Sequence, residues 1–370
     1  MKVLFSCGGT GGHINPALAI ANTLKARHRH FDALFVGAEG GMEATLVPKA
    51  GYKIEFVKVR GFKRKLSLSN IDAAIKAVTS VMAAKKIIKR FAPDLVIGTG
   101  GYASWAAVKA ASSLGIPTLI HEQNAFPGVT TRKLSKYADK VCISFDGSRK
   151  FFDKSVNDKL VLTGNPLRPE IKNADRERSR KELGLSDEVY ILSFGGSLGA
   201  DKVNELVLSL LDGYVKDNKG VRAIHATGKN GCVKFNEIAA KRGISSAPNI
   251  EIREFIHDMH RQLSAADIVI CRAGAITLAE NCCLGKASVL IPSPNVTDNH
   301  QYKNAKVLAD AGAALLMEES VTDGNMLIAA VRSLVEDSGK RESMAKAARS
   351  MAKVSAADDI ADIAESLAKA

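Results

Sequence analysis

A pattern typical of alternating strands and helices occurs three times in this chain: a short apolar run, a glycine-rich turn and a helical run. The three turns are GGTGGH (residues 8–13), GTGGY (98–102) and GGSLGA (195–200). Each apolar run has the length of a buried strand, and parallel strands that alternate with helices form a doubly wound sheet. Because the first and third copies begin two halves of the chain, we expect two α/β domains with similar Rossmann-like parallel sheets.

The first turn combines features of an anion-binding site. Asn15 is placed to cap the following helix and Pro16 to occupy its first position, so the glycines precede a helix N-terminus. Backbone N–H groups and the positive end of a helix favour an anion there, and glycine lets a ligand approach the backbone. His13 is the group in this turn that can carry a proton near neutral pH. A glycine turn also serves to pack a helix on its strand, so the turn alone does not define a site.

Further apolar runs of strand length continue the alternation in both halves. The breaker-rich segment TGNPLRP (163–169) ends the first half. We therefore predict a first domain at residues 1–165 and a second at 166–344, with a C-terminal helix at about 345–370 packing back on the first. The further predicted strands cover residues 33–37, 95–98, 118–121, 140–144, 160–163, 190–194, 222–226, 250–254, 268–271, 287–291 and 314–317.

Length and cysteine usage limit the class of protein. The 370 residues suffice for two domains, each with its own core. No apolar run in the sequence is long enough to span a bilayer, and residues 2–7 are too few for a signal-peptide core. The six cysteines form no CxxC pair and mostly stand in apolar runs, which indicates buried thiols in a reducing cytoplasm rather than disulfides or zinc.

The net charge of +13 belongs to one half of the chain. Residues 1–165 contain 25 Lys and Arg against 11 Asp and Glu, a net of +14, whereas residues 166–370 contain 27 against 28, a net of −1. This asymmetry predicts a polyanionic partner: an anionic lipid surface, a nucleic acid or a phosphorylated substrate. Only 5% of residues are aromatic and the sequence has no nucleic-acid-binding motif, so we expect no nucleic acid.

A basic segment at residues 58–66 precedes an amphipathic helix at about 70–90. Basic residues beside an apolar helix face are suited to an anionic membrane surface, so the segment 60–82 is a candidate membrane contact. Packing of the same apolar face on the domain's own sheet is the alternative interpretation.

Polar side chains collect where predicted strands end, which is where doubly wound sheets bind ligands. The run HEQN (121–124) follows one such strand. Glu280 stands in the first turns of a helix after the glycine turn 273–275, where a carboxylate can accept hydrogen bonds from both hydroxyls of a ribose. The loop DNHQY (298–302) is dense in groups that hydrogen-bond a sugar. A single histidine or a single helical glutamate more often has a structural role. These residues therefore indicate a binding site only when they are taken together.

Several phosphate and metal motifs are missing from the sequence. It contains no GxGxxG or GxxxxGK[ST] loop, no HExxH and no DxD pair, so we expect no cofactor and no obligatory divalent metal. A diphosphate leaving group would then be stabilised by backbone amides and helix N-termini at the turns 8–12, 195–199 and 273–275.

The turn at 195–199 also satisfies GxSxG, the nucleophile elbow of α/β-hydrolases. Ser197 would then need an acid and a histidine later in the chain. The hydrolase interpretation gives no role to His13 and its glycine turn. The later histidines, none of which is near the C-terminal end where that fold usually places its base, are His225, His257, His260 and His300.

Eight stretches, in order and spread over most of the chain, together resemble the bacterial peptidoglycan glycosyltransferases that convert lipid I to lipid II. The combination is specific to that family, although no single stretch is. The stretches are GGTGGHINPALAIA (8–21), GTGGYAS (98–104), HEQNAFPG (121–128), TGNPLRPEI (163–171), FGGSLGA (194–200), EFIHDM (254–259), CRAGAITLAE (271–280) and DNHQYKNA (298–305).

This resemblance implies two Rossmann-like domains of the GT-B type that face each other across a cleft holding the active site. The donor would be UDP-N-acetylglucosamine, and the acceptor lipid I, an undecaprenyl diphosphate that carries N-acetylmuramoyl-pentapeptide. Transfer to the muramoyl 4-hydroxyl would invert the anomeric centre in a single displacement. The enzyme would be peripheral at the cytoplasmic face of the cell membrane, where other cell-wall enzymes are candidate partners.

The resemblance also implies residue roles. Ile256 would hold the uracil through its backbone, and Glu280 would bind the ribose hydroxyls. Ser197 would take the donor diphosphate with charge from Arg168. The full set of implied donor contacts is Thr10, Gly11, Gly12, Asn124, Arg168, Ser197, Ile256, Ala275, Ile276, Thr277, Leu278, Ala279, Glu280 and Gln301.

On the acceptor side, His13 is the candidate general base that takes the proton of the 4-hydroxyl, because an imidazole pKa suits that task. The alternative role of His13 is to orient the acceptor diphosphate. The other implied contacts to the acceptor or its diphosphate are Gly101, Tyr102, His121 and Glu122.

Two alternatives remain open within this resemblance. Many relatives carry two adjacent glutamines where this chain has His300 and Gln301; we favour Gln301 as the sugar contact, with His300 as the alternative. Related GT-B proteins include diacylglycerol glucosyltransferases and UDP-N-acetylglucosamine 2-epimerases. A glycosyltransferase for another lipid acceptor and a UDP-N-acetylglucosamine epimerase are therefore the alternative functions.

Overall fold

The structure is a computed structural model that describes residues 1–59 and 69–369, including their side chains except those of 69–75. Residues 60–68 of the predicted membrane segment 60–82 therefore lie outside the described residues. The chain forms two compact units. The first consists of Met1–Leu167 with Lys353–Ala370, and the second of Arg168–Ala352.

Within the described residues, the first unit contains a parallel sheet of seven strands: β1 (Lys2–Ser6), β2 (Asp32–Ala38), β3 (Lys53–Val57), β4 (Leu95–Gly98), β5 (Thr118–Glu122), β6 (Lys140–Ile143) and β7 (Leu160–Leu162). They lie in the order β3-β2-β1-β4-β5-β6-β7, and every neighbouring pair is parallel. The order reverses between β1 and β4, which is where doubly wound sheets bind ligands.

Helices cover both faces of this sheet. Leu4 and Val96 belong to the core cluster on one face, whereas their neighbours Phe5 and Ile97 belong to the cluster on the other. Because both faces are buried, the strands read as continuous apolar runs rather than as alternating ones. The helices are α1 (Gly11–Arg27), α2 (Glu43–Lys49), α3 (Ser69–Phe91), α4 (Tyr102–Ser112) and α5 (Val129–Leu134).

The edge strand β3 was not predicted from the sequence. Its residues read KIEFV, and only Val57 is fully buried. An edge strand pairs on one side only and carries polar residues, so it lacks the apolar run that marks the central strands.

Helix α1 begins earlier than predicted, which corrects the assignment of Asn15 as cap and Pro16 as first helical residue. Thr10 is the N-cap, and its carbonyl oxygen accepts from the N–H of His13 at 3.0 Å and of Ile14 at 3.2 Å. These bonds close the first turn inside the glycine run, so Pro16 lies within the helix. As a result His13 stands in the first turn of α1.

Within the described residues, the second unit contains six parallel strands: β8 (Val189–Phe194), β9 (Val221–Ala226), β10 (Ile250–Arg253), β11 (Ile268–Cys271), β12 (Ala287–Leu290) and β13 (Ala314–Leu316). Their order is β10-β9-β8-β11-β12-β13, which reverses between β8 and β11 in the same way as in the first unit. The predicted α/β class with two doubly wound parallel sheets is confirmed.

Its helices are α6 (Pro169–Lys172), α7 (Arg176–Glu182), α8 (Asp201–Leu210), α9 (Cys232–Lys241), α10 (Met259–Ala265), α11 (Ala275–Cys283), α12 (His300–Asp310), α13 (Gly324–Glu336) and α14 (Ser338–Ser350). A π-helical turn, Leu211–Val215, extends α8. Short 3₁₀ segments in the two units are Asp146–Phe151, Lys154–Lys159, Ile244–Ser246 and Thr297–Asn299.

The chain returns to the first unit for its last helix, α15 (Ala356–Lys369). Ile360 is fully buried in the same core cluster as Phe5 of β1. Arg27 of α1 donates to Asp358 at 2.9 Å and to Asp362 at 2.6 Å. Burial of an isoleucine contributes about 1.5–3 kcal/mol, whereas exposed ion pairs contribute about 0–1 kcal/mol, so apolar packing is the stronger attachment of α15.

The six cysteines are free thiols in the described residues, and four of them are buried. Burial raises the pKa of Cys142 to about 12, so that thiol is not a reactive thiolate. Among the residues that the structure describes, no group of three or more His, Cys, Asp or Glu side chains could hold a metal ion. The described helices include none with the length and apolar character needed to cross a membrane.

Candidate active site

Two of the predicted glycine turns meet at the carboxyl ends of β1 and β4. Gly100 has φ +124° and Gly101 has φ +82°, which are conformations that favour glycine. A Cβ on Gly101 would lie 2.5 Å from the carbonyl oxygen of Gly8, and a Cβ on Gly100 would lie 2.4 Å from Nδ1 of His13. Glycine at these positions therefore lets the second turn pack directly against the first turn and its imidazole.

His13 is partly exposed and is held by a chain of hydrogen-bonded groups. Its Nδ1 lies 3.0 Å from Oε1 of Gln123. Nε2 of Gln123 donates to the carbonyl oxygen of Thr99 at 2.8 Å and lies 2.9 Å from Nδ1 of His121. Nε2 of His121 lies 2.9 Å from the carbonyl oxygen of Gly164. Gln123 was not among the predicted site residues, although the HEQN run contains it.

The predicted residues His121 and Glu122 are both buried, at 1% and 2% exposure. Burial lowers the pKa of His121 to about 4, against smaller opposing effects of the Gly164 carbonyl and the Glu122 charge, so the ring is neutral. Oε1 of Glu122 accepts from the N–H of Asn124 and Oε2 from that of Gly128, each at 3.0 Å. Both side chains thus shape the loop around the site.

Glu43 of α2 supports the first glycine turn and was not predicted from the sequence. Its side chain is fully buried, with Oε2 accepting from the N–H of Gly9 at 3.1 Å and Oε1 from that of Ala38 at 2.8 Å. A Cβ on Gly8 or on Gly41 would lie within 2.6 Å of this carboxylate. The glycine pairs at 8–9 and 40–41 are the sequence feature that could have predicted this buried carboxylate, because each pair leaves space for the Glu43 side chain.

The other predicted residues of this unit are at least partly exposed to solvent. Thr10, Gly12 and Tyr102 are exposed, and Gly11 and Asn124 are partly exposed. These groups and the imidazole of His13 are therefore accessible to a ligand at the carboxyl edge of the sheet.

In the second unit, the turn that contains Ser197 is formed by close packing of backbone on backbone. Gly199 has φ +85°, and a Cβ there would lie 2.3 Å from the carbonyl oxygen of Thr227. A Cβ on Gly228 would lie 2.0 Å from the nitrogen of Gly199. Ser197 is exposed at the tip of this turn, four residues before α8 begins at Asp201. The turn therefore presents a hydroxyl and the N-terminal end of a helix to solvent.

No histidine hydrogen-bonds to Ser197 among the residues that the structure describes. His225 is fully buried, with Nδ1 2.9 Å from Oγ of Ser193 and Nε2 3.1 Å from Oδ1 of Asn204. Nδ1 of His300 lies 2.8 Å from a backbone carbonyl oxygen of its own loop. The geometry therefore gives the hydrolase interpretation no base for Ser197.

Arg168 and Glu280, which were predicted as separate donor contacts, lie together. Nη2 and Nε of Arg168 donate to Oε1 of Glu280 at 2.9 and 3.2 Å. Glu280 lies on α11 and is 7% exposed. Burial raises the pKa of Glu280, and the charge and hydrogen bonds of Arg168 partly reverse that rise.

The predicted donor run Ala275, Ile276, Thr277, Leu278 and Ala279 forms the first turns of α11. The N-cap of this helix is a glycine whose carbonyl oxygen accepts from the N–H of Leu278 at 3.0 Å. The aligned peptide dipoles of a helix place partial positive charge at its N-terminal end, and that end of α11 is formed by this run.

Ile256 follows β10 and has a buried side chain, at 2% exposure. In the part of the chain that the structure describes, neither its N–H nor its C=O has a hydrogen-bond partner. Backbone groups next to a buried side chain are normally paired, so this donor and acceptor are available to a ligand.

The two candidate sugar contacts begin α12. Oε1 of Gln301 accepts from the N–H of Ser293 at 2.9 Å, which leaves its amide Nε2 as a donor. Before His300, Asp298 and Asn299 have φ of 55° and 50°, a left-handed conformation that Asp and Asn adopt more readily than other non-glycine residues.

The chain matches two family models, the glycosyltransferase family 28 N-terminal domain over residues 3–143 and the glycosyltransferase family 28 C-terminal domain over residues 190–362. The chain belongs to glycosyltransferase family 28. The first match lies in the first unit, and the second covers most of the second unit and continues to residue 362 in α15 of the first. The matches confirm the predicted resemblance to a glycosyltransferase family.

Relatives extend this similarity over the whole chain. A protein of Acetivibrio thermocellus named UDP-N-acetylglucosamine–N-acetylmuramyl-(pentapeptide) pyrophosphoryl-undecaprenol N-acetylglucosamine transferase is 45% identical, covering 100% of this chain and 99% of that protein. The crystal structure of Acinetobacter baumannii MurG matches with a TM-score of 0.78 and 30% identity, covering 99% of both chains.

A UDP-GlcNAc 2-epimerase from Neisseria meningitidis, solved with bound UDP-GlcNAc, matches with a TM-score of 0.68. It covers 98% of this chain and 99% of its own, but the identity is 16%. This similarity shows that the two proteins share a fold.

Proposed function

We propose that this chain transfers N-acetylglucosamine from UDP-N-acetylglucosamine to the 4-hydroxyl of the muramoyl group of lipid I, forming lipid II. The observation that carries the proposal is the full-length similarity, at 45% identity, to a protein that bears this activity in its name. The described residues supply groups for each part of the reaction, as follows.

His13 takes the proton from the acceptor hydroxyl. Its Nδ1 is engaged by Gln123, and in the described residues its Nε2 has no hydrogen-bond partner. As the proton moves to Nε2, the hydroxyl oxygen forms a bond to the anomeric carbon. The bond from that carbon to the UDP oxygen breaks, and the anomeric configuration inverts.

The second unit holds the nucleotide. The unpaired N–H and C=O of Ile256 match the alternating acceptor and donor groups of a uracil edge. Glu280 accepts hydrogen bonds from the ribose hydroxyls through Oε2, because Oε1 is engaged by Arg168. We therefore assign Arg168 to holding this carboxylate in addition to supplying charge near the diphosphate.

The departing diphosphate is stabilised by the turn of Ser197 and the N-terminal ends of α8 and α11. Preorganised N–H groups and helix ends are effective at positions where negative charge develops. The amide Nε2 of Gln301 is placed to donate to a sugar hydroxyl, and His300 is the alternative contact.

The chain works as a peripheral protein at the cytoplasmic face of the membrane that carries lipid I. Val78 and Met82 of α3 are 64% and 54% exposed, whereas Ile88 on the same helix is buried in the core. The two exposed residues lie one turn apart and belong to the half of the chain with a net charge of +14, from 25 basic and 11 acidic residues. Anionic lipid would attract this half, and the apolar pair would enter the interface.

The test is UDP release from UDP-N-acetylglucosamine in excess EDTA, with and without a soluble lipid I analogue. We expect release that depends on the acceptor and persists in EDTA, with a β-linked disaccharide as product. Release without acceptor would instead indicate an epimerase or hydrolase. Efficient transfer to a different lipid acceptor, with none to the lipid I analogue, would show that the protein is a glycosyltransferase but that the proposed acceptor is wrong.

A second measurement separates the two roles of His13. His13→Gln keeps a donor and removes the titratable base, so it should lower kcat and leave the KM for the lipid I analogue nearly unchanged. If His13 instead orients the acceptor diphosphate, the KM for the analogue should rise while kcat changes little.

A further inference from the structure

The hydrogen-bond chain that ends on His13 begins at two backbone carbonyl oxygens. The carbonyls of Thr99 and Gly164 can only accept, so the atoms that face them must donate. Nε2 of Gln123 faces the first at 2.8 Å, and Nε2 of His121 faces the second at 2.9 Å. These two contacts determine every proton position in the chain.

The amide of Gln123 has a single consistent orientation. Its NH₂ group donates to Thr99 and, at 2.9 Å, to Nδ1 of His121, which must be the unprotonated nitrogen because Nε2 of that ring carries the proton. Oε1 of Gln123 therefore faces His13, and the 3.0 Å contact requires a proton on Nδ1 of His13. The neutral imidazole then bears its lone pair on Nε2.

We infer that Gln123 is a positioning residue that fixes His13 as the Nδ1–H tautomer, so that Nε2 is the basic nitrogen offered to the acceptor hydroxyl. This inference rests on the proposed function, because it concerns how the base of that reaction is oriented. Gln123 acts through His13 and need not touch either substrate.

Burial makes the arrangement rigid. Gln123 is 3% exposed and His121 is 1% exposed, so water does not compete for their hydrogen bonds. Oγ of Ser144, 3.3 Å from Nε2 of His121, is a further acceptor for the same proton. Gly100 also lies against the His13 ring, since a Cβ there would lie 2.4 Å from Nδ1. The His13 ring is therefore held both by its hydrogen bond to Gln123 and by van der Waals contact with Gly100.

The direct test is the ring-nitrogen NMR spectrum of ¹⁵N-histidine-labelled protein, with His13 assigned by comparison with His13→Gln. The wild-type ring should show the Nδ1–H tautomer. Gln123→Met keeps the side-chain length without hydrogen bonds, and its His13 should change toward the Nε2–H tautomer. A wild-type ring in the Nε2–H form would overturn the inference.

Kinetics supply the second readout. Gln123→Met should lower kcat roughly tenfold to hundredfold, a part of the 10²–10⁴ that a positioned base contributes, with the KM for UDP-N-acetylglucosamine unchanged. Gln123→Glu presents an oxygen to Nδ1 in either ionisation state, so it should keep the Nδ1–H tautomer and retain more kcat than Gln123→Met. Equal kcat in Gln123→Met and the wild type would refute the positioning role.

A matched control removes amide-to-carbonyl hydrogen bonds elsewhere. Nδ2 of Asn249, in the second unit and at the opposite end of β10 from Ile256, donates to the carbonyl oxygens of Val215, Asn218 and Val221. Asn249→Leu should lower the Tm with no change in kcat or in the His13 tautomer. If His13→Gln kept full kcat while the wild-type ring was Nδ1–H, the base role would fail and the tautomer assignment would stand.

Discussion

Arg168 donates two hydrogen bonds to one oxygen of the buried Glu280 carboxylate, from Nη2 at 2.9 Å and from Nε at 3.2 Å. Both bonds end on Oε1, so Oε2 keeps its lone pairs for a ligand. Burial raises the pKa of Glu280, and Arg168 opposes that rise. Arg168 therefore favours the ionised form of this buried carboxylate and fixes its orientation, and in the proposed function Oε2 faces the ribose.

Removing the guanidinium should weaken donor binding in a pH-dependent way. In Arg168→Met the pKa of Glu280 rises further, so the carboxylate gains a proton as the pH falls and becomes a poorer acceptor for hydroxyl donors. We expect the Kd for UDP-N-acetylglucosamine, measured by calorimetry, to rise about tenfold near pH 7 and by more near pH 5.5. Arg178→Met, which breaks an exposed ion pair with Glu182, should leave this Kd unchanged at both pH values. A pH-independent loss in Arg168→Met would contradict the ionisation argument.

Replacement of His13 and replacement of Glu280 should affect different steps, catalysis in the first case and donor binding in the second. His13→Ala removes the base, so it should lower kcat by about 10²–10⁴ and leave the donor Kd nearly unchanged. Glu280→Ala removes the ribose contact, so it should chiefly raise the donor Kd. Steady-state kinetics and calorimetry on the two variants check this split. Equal loss of donor affinity in both would count against it.

Much of the fold could be predicted because its signals are local. Buried parallel strands require continuous apolar runs, and the close packing of turns requires glycine, as at Gly100 and Gly199. The start of α1 was misplaced because Asn15 and Pro16 are good local start signals. The carbonyl of Thr10 nevertheless begins the helix one turn earlier.

The site was harder to predict where it depends on contacts between distant residues. Gln123 reaches His13 across 110 positions, and Arg168 reaches Glu280 across 112. Glu43 looks like an ordinary residue at the start of a helix, and its burial follows only from the glycines folded around it. Sequence patterns identify candidate groups, but which candidates are paired is decided by the packing of the sheet.

The space beside the His13 ring gives a test with a well-matched control. Gly100→Ala would place a Cβ 2.4 Å from Nδ1, so the imidazole must shift and kcat should fall at least tenfold, by loss of base alignment. Gly115→Ala introduces the same residue at another positive φ, +71°, with nothing within 4 Å of its Cβ. Both variants should lose about 1–2 kcal/mol of stability from backbone strain. The Tm should therefore fall in both, and kcat only in Gly100→Ala.

Buried His225 should make the protein sensitive to acid. Its pKa is lowered to about 3 by burial, whereas an unfolded histidine titrates near about 6.5. Between these values the unfolded chain binds a proton that the folded chain does not. The stability that depends on a neutral His225 is therefore fully present above about pH 6.5. Below that pH the free energy of unfolding falls by up to about 1.4 kcal/mol per pH unit.

The measurement is the free energy of unfolding by denaturant between about pH 7 and about pH 4.5. His225→Gln keeps a donor toward Asn204 and removes the titrating ring, so its stability should be lower near pH 7 but should decline less steeply. His30→Gln alters an exposed histidine and should keep the wild-type slope. An unchanged slope in His225→Gln would show that other groups dominate the acid response.

The exposed apolar pair on α3 predicts membrane binding that depends on both charge and burial. In the double variant Val78→Glu with Met82→Glu, negative charge replaces apolar surface that is 64% and 54% exposed, so binding to anionic vesicles should fall at least tenfold. Because neither side chain is buried in the core, the Tm should change little. Vesicle co-sedimentation at low and at high salt measures the effect, and salt should weaken the wild-type binding.

The control for this variant is Val233→Glu, which places one of the two added negative charges at a valine that is 73% exposed on α9 of the second unit. It should bind vesicles as the wild type does, because that unit lacks the excess of basic residues. Vesicles without anionic lipid should bind all three proteins weakly. Equal loss of binding in the α3 and α9 variants would show that net charge alone governs attachment, and α3 would then have no specific part in it.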